Sequence, residues 1–213
     1  MNEPILYGAP YSVYVRAARL ALTEKEVAYR LMPVDIFAKE GPPAEHLRRH
    51  PFGRIPAFSH DGFELYETAA ITRYVDEAFE GPQLQPTLPR QRARMNQITA
   101  ILDNYVYRTL VWDVFVERVR APAQGRASDE ARIAEALPRA HKCLVALQDL
   151  MTTDPWLGGP QITLADLHAA PMFAYFVMTS EGTELLRGFA GLAAWWERMR
   201  ARPSMAATRS PLE

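Results

Sequence analysis

An α/β domain followed by an all-α domain is the fold class this sequence predicts, on three observations. Residues 1–80 alternate short apolar runs with amphipathic stretches in the order βαβαββα. The stretch EGPQLQPTLP, beginning at Glu80, is rich in proline and polar residues and has little periodicity, which sets a linker at 81–89. Beyond it, in 90–213, helical periodicity continues with no strand pattern, as in a helix bundle.

Each element has its own reason. Ile5 to Tyr7 is an apolar run closed by Gly8, and Ser12 to Glu24 then spaces Val15, Ala18 and Leu22 as one helical face. Tyr29 to Val34 reads as a second strand, so the helix between is the crossover of a parallel βαβ unit. Residues 39–49, holding Gly41, Pro42 and Pro43, read as a loop with at most a short helix. Ala57 to Ser59 and Phe63 to Tyr66 flank Asp61-Gly62, the dipeptide favoured in a two-residue type I′ turn, and are expected to pair as a hairpin. Helices are expected at about 68–79, 90–120, 128–151, 164–176 and 190–202.

Composition narrows the function. The chain has 213 residues, 23% of them charged, with a net charge of −1, so no field of one sign recommends nucleic acid or an acidic membrane as partner. A small molecule is the expected ligand. One cysteine, Cys143, excludes an internal disulfide and a Cys-rich zinc site, and the five histidines lack H-E-x-x-H spacing, so no metal is expected. MNEPILYG has neither the basic segment nor the apolar core of a signal peptide, and no window suits a membrane span. The expected location is cytoplasmic.

Three places can carry chemistry. Ile55-Pro56 stands before a strand, and a cis bond costs only ~0.5–1 kcal/mol ahead of proline. A cis turn there offers the Ile55 backbone to an extended peptide, whereas on spacing alone a trans proline opening the strand is the favoured reading. Glu67 and Thr68 lie where hairpin becomes helix: Thr68 in the cap position leaves first-turn N–H groups for a carboxylate, and Glu67 accepts from an ammonium. A plain N-cap is the simpler explanation. Ser12, at the start of the first helix, is either a cap or a donor to a bound thiol. A free thiol titrates near ~8.5; a hydrogen bond to the thiolate contributes ~1.5–3 kcal/mol and the helix terminus ~0.3–1, together a fall of about one to three units. Thr163-Leu164-Ala165-Asp166, with Ile162 and Leu167 spaced as a hydrophobic staple, reads as a capping box and a folding element.

The segments LYGAPYS, HPFGRIPAF, ELYETAAITRYV and ITLADLH occur in that order, and with them the chain resembles the cytosolic glutathione transferases over nearly its whole length. The second fits the family pattern NPFG-x-[IV]-P with His50 in the place of Asn. The resemblance implies a thioredoxin-like N-terminal domain, a cis Pro56, a Glu67-Thr68 pair holding the γ-glutamyl end, and Ser12 as the catalytic serine of a phi type, related to theta. Cys-type classes put a cysteine near the first helix, but Cys143 lies far from it; Tyr-type classes leave Tyr7 and Tyr11 as alternatives to Ser12. The phi-like His-Lys pair is absent, Gly41-Pro42 standing there with Lys39 displaced, and Arg54 replaces the usual Gln or Lys. The glycyl carboxylate then falls to Arg54 or Lys39.

What the resemblance implies in function is a glutathione transferase, conjugating the glutathione thiolate to a hydrophobic electrophile, with peroxidase side activity and a homodimeric state. Glutathione is the co-substrate. Tyr11, with Tyr107, Trp112 and Phe115 of the long helix, is the candidate lining of the electrophile site, although aromatics on such a helix also serve as core. The rival is a non-catalytic carrier or regulatory protein on the same fold. A glutathione-dependent disulfide reductase wants a cysteine in the place of Ser12.

Overall fold

The computed structural model describes residues 2–151 and 153–213. It forms two compact units, one of Met1–Leu84 with Pro203–Glu213 and one of Gln85–Arg202.

In the first unit β1 (Ile5–Tyr7), α1 (Val13–Glu24) and β2 (Arg30–Met32) make the parallel crossover, α2 (Ala44–Arg49) follows, and β3 (Ala57–His60), β4 (Phe63–Tyr66) and α3 (Thr68–Ala78) complete βαβαββα. The sheet order is β2-β1-β3-β4, with β1–β3 and β3–β4 antiparallel. The hairpin turns through Asp61 at φ 48° and Gly62 at φ 81°, the paired positive angles of a type I′ turn. α2 exists as a short helix in the expected loop.

Register fixes the site. Met32 pairs with Tyr7, Tyr7 with Ala57 and Ala57 with Tyr66, one row across all four strands. The loop before α1, the Ile55-Pro56 turn and the β4–α3 junction therefore leave the sheet at the same end.

α1 is held firmly. It packs on α3, and buried Lys25 at its end donates to Asp76 Oδ1 of α3 at 3.3 Å and to the Asp76 carbonyl at 3.0 Å, while the Leu84 N–H donates to the same carboxylate at 2.8 Å. The sequence expectation carried the tail beyond residue 202 with the helical domain; instead, a last short helix, Pro203–Ala207, packs on α1. The reason is polar: Arg16 pairs with Glu213 and donates to the Met205 carbonyl, and Arg19 donates to the carbonyls of Ala207 and Thr208.

The second unit is helical. α4 (Pro89–Ile101) runs into a π-helical stretch, Leu102–Arg120, followed by α5 (Glu130–Met151), α6 (Leu164–Phe176), α7 (Ser180–Arg187) and α8 (Ala190–Arg200). α7 was not expected: its eight residues lie below the length at which periodicity identifies a helix. α6 is buried all round, as its largely apolar composition requires. Its start is the expected capping box. Asp166, fully buried, accepts from the Thr163 N–H (2.7 Å) and hydroxyl (2.9 Å) at Oδ2, and from the Leu157 N–H and Trp195 Nε1–H (both 2.8 Å) at Oδ1. Burial pushes this carboxyl upward and the four donors oppose it.

Candidate active site

α1 opens on Ser12, whose backbone is extended (φ −73°, ψ 129°) and whose Oγ accepts from the Val15 N–H at 3.4 Å. The cap and the chemical role are compatible. Capping uses a lone pair, so the hydroxyl proton is left to donate elsewhere. The position is set by Gly8, which packs so closely on α1 that a Cβ there would lie 2.4 Å from Val15 Cγ2 and 3.4 Å from Ile55 Cβ. One glycine thus brings the helix start and Ile55 together.

Ile55-Pro56 is cis, and both residues are buried. Sheet pairing begins at Ala57, so the Ile55 backbone stands outside the ladder. The trans alternative is overturned.

Thr68 is not the cap of α3. β4 ends at Tyr66 and Glu67 alone makes the turn, at φ 73° and ψ 115°, so Thr68 is already the first helical residue and Glu67 holds the cap position. The Glu67 carbonyl accepts from the N–H groups of Ala70 and Ile71 (3.0 and 2.9 Å), and no side chain caps the helix. The first-turn N–H groups of Thr68 and Ala69 are thus left without a side-chain cap, beside an exposed Glu67. A non-glycine residue in that region of φ/ψ space carries strain of order ~1–3 kcal/mol, the kind stored at ligand sites.

Lys39 and Arg54 are exposed and form no ion pair among the described residues. The Arg54 carbonyl accepts from buried His46 Nε2 at 2.7 Å, which ties the turn before Ile55 to α2. Tyr7 is engaged otherwise, with the Arg49 guanidinium 4.2 Å above its ring. Tyr11 is half-buried in the turn before Ser12.

In the helical unit Tyr107 and Trp112 are half-buried, but Phe115 is 1% exposed and stacks on Tyr175 at 4.3 Å. Phe115 is a core residue and leaves the candidate list. Cys143 lies on α5, its thiol pushed up by burial, which disfavours the reactive thiolate. Sequence reasoning passed over His46 and His50, both buried beside this site. The available signal was His50 in the first position of HPFG.

Two family models match in order, the N-terminal domain of glutathione S-transferase over residues 6–83 and its C-terminal domain over residues 107–203. The chain belongs to the glutathione S-transferase family. Its relatives place it in the phi type. A glutathione S-transferase of Arabidopsis thaliana is 29% identical over 201 residues, covering 93% of this chain and 91% of that protein. A crystal structure of a Populus trichocarpa glutathione transferase is similar with a TM-score of 0.85 at 28% identity, over 96% of this chain and 97% of that one. A glutathione S-transferase I from mais, solved with an atrazine glutathione conjugate, gives 0.85 at 25% identity, over 97% and 96%.

Proposed function

We propose that this protein is a glutathione transferase in which Ser12 stabilises the glutathione thiolate for attack on a hydrophobic electrophile. The observation that carries the reading is the register row Met32–Tyr7–Ala57–Tyr66, because it sends Ser12, Ile55 and Glu67 off one end of one sheet. A γ-glutamyl tripeptide has chemistry for each: its cysteinyl backbone pairs with Ile55 as an added strand would, and its α-carboxylate takes the uncapped N–H groups at Thr68. Its ammonium takes Glu67, its glycyl carboxylate takes Arg54 or Lys39, and its sulfur faces the Ser12 hydroxyl.

Thiolate and electrophile then form the S–C bond while a leaving group departs, or the adduct takes up a proton. Ser12 acts by donating a hydrogen bond and the α1 terminus by its dipole. Because nucleophilicity falls with basicity at a slope of ~0.4–0.5, ionisation alone gives a modest gain, and positioning supplies the rest. Tyr11, and within the helical unit Tyr107 and Trp112, are the aromatic faces offered to an apolar substrate. Peroxide reduction by the same thiolate, a homodimeric state and a cytoplasmic location complete the proposal; among the described residues no helix is long and apolar enough to cross a membrane.

The test is calorimetric titration with glutathione, followed by conjugation assays over a panel of aryl halides, activated alkenes and hydroperoxides. Binding with turnover of at least one class supports the reading. Binding without turnover favours a carrier, and absence of binding refutes it.

A further inference from the structure

His50 is 3% exposed and sits at the head of the turn that leads through Arg54 to Ile55. Its backbone is part of that turn: the His50 N–H donates to the His46 carbonyl at 2.8 Å and the His50 carbonyl accepts from the Gly53 N–H at 2.9 Å. Its ring packs 4.8 Å from Tyr66 of β4, 6.3 Å from Phe52 and 6.2 Å from the His46 ring. Beyond a marginal contact with its own carbonyl, its Nδ1 has no hydrogen-bond partner among the described residues. A buried polar nitrogen without a partner is expensive to keep and invites a role.

Two of the charges acting on the ring, Glu67 and Arg54, belong to the proposed tripeptide site. Burial holds its proton affinity below the ordinary value of 6.5; Glu67 at the β4–α3 junction favours the imidazolium, while His46 of α2 and Arg54 of the turn oppose it. At neutral pH the ring is therefore uncharged and tolerates its apolar seat. A proton added there makes a desolvated cation beside Arg54. The ring escapes only by swinging into water, and the backbone that swings with it carries Arg54 and Ile55.

We propose that His50 is a positioning residue for glutathione: its neutral imidazole keeps the 50–54 turn closed beneath Arg54 and Ile55, and its protonation opens the turn and weakens tripeptide binding. The proposal rests on the glutathione reading of the site. Linkage makes the effect reciprocal, so bound glutathione lowers the proton affinity of His50.

The experiment is calorimetry of glutathione binding to the intact chain between about pH 7.5 and about pH 5.5, across the range in which histidine titrates, for wild type and His50→Asn. In wild type, affinity falls as pH drops through the His50 titration, which burial places below the ordinary histidine value, by up to about tenfold per unit for that one linked proton. In His50→Asn the His50 part of that fall is missing, and only the smaller loss linked to ionisation of the bound thiol, common to both proteins, remains. In conjugation assays the acid effect appears in the KM for glutathione, while kcat follows one pH curve in both proteins. Should His50→Asn not fold, an NMR titration of the wild-type histidines decides: glutathione moves the His50 resonance to titrate at lower pH. Identical affinity profiles, or a His50 titration unmoved by glutathione, overturn the proposal. Absence of binding at every pH overturns the glutathione reading itself, and is told apart by the missing heat at neutral pH.

Discussion

Replacing Asp166 by Asn keeps the shape of the capping box and removes its logic. The carboxylate presents two acceptors to four donors, and an amide presents one. With the amide nitrogen at the Oδ1 position, it faces the Leu157 N–H and the Trp195 indole N–H, two donors that cannot turn away. With the nitrogen at the Oδ2 position, it faces the Thr163 N–H and a Thr163 hydroxyl that can rotate to accept. The second orientation wins. Its cost is one buried backbone donor stripped of its acceptor, ~1–3 kcal/mol, plus about 1 kcal/mol for each of two bonds that pass from charge-assisted to neutral. The expected loss is about 3–5 kcal/mol, or on the order of 10 °C in Tm at this chain length. Urea denaturation followed by tryptophan fluorescence, with calorimetry alongside, measures it. Glutathione affinity at room temperature stays at the wild-type value, because the box belongs to the helical unit. A loss under about 1 kcal/mol, the range of a surface substitution, refutes the claim that Asp166 holds α6 in place.

Gly8→Ala puts a methyl 2.4 Å from Val15 Cγ2, well inside van der Waals contact, and overpacking of this kind costs ~1–3 kcal/mol; the measurement is urea stability together with glutathione affinity, and both fall because α1 must move away from Ile55. Lys25→Met leaves the buried Asp76 carboxylate without its ammonium and destabilises by ~3–5 kcal/mol in urea, with the double variant Lys25→Met, Asp76→Asn recovering part of the loss. The Arg126 hydrogen bond holds the Glu117 carboxyl below its ordinary 4.5 against the effect of burial, with further support from Arg126 and Arg132 charge. A depressed carboxyl gives stability that is fully present above the unfolded value and lost as pH falls through the folded one, so the gap between wild type and Glu117→Gln in chemical denaturation is widest near neutrality and closes in acid.

Local chemistry explains what was legible in the sequence. Asp61-Gly62 declares its turn because few residues accept positive φ twice in succession, and Thr163 to Asp166 declares a helix start because the box is made by residues three apart. Ser12, Ile55 and Glu67 were legible as separate signals, one at a helix start, one before a strand and one at a junction. Their meeting at one sheet end depends on strand register, a non-local property. Three features lay beyond local reading. The Glu67 turn at positive φ takes the cap from Thr68, which is already helical. The tail beyond residue 202 follows Arg16 and Arg19, whose partners are far away in the chain. Phe115 looks like a pocket aromatic until Tyr175 is found stacked on it. His50 was visible as an unusual residue in HPFG, but its burial against Tyr66 was not.

The most direct test of the account is a spectroscopic titration of the thiolate in glutathione-saturated protein, wild type against Ser12→Ala. Loss of a hydrogen bond worth ~1.5–3 kcal/mol to the charged sulfur raises the bound thiol's pKa by about one to two units. Folding stability changes by only ~0.5 kcal/mol, since the cap bond to Val15 at 3.4 Å is long. Glutathione still binds the variant, through Ile55, Glu67 and Thr68. A thiol that titrates at the same pH in both proteins contradicts the role given to Ser12.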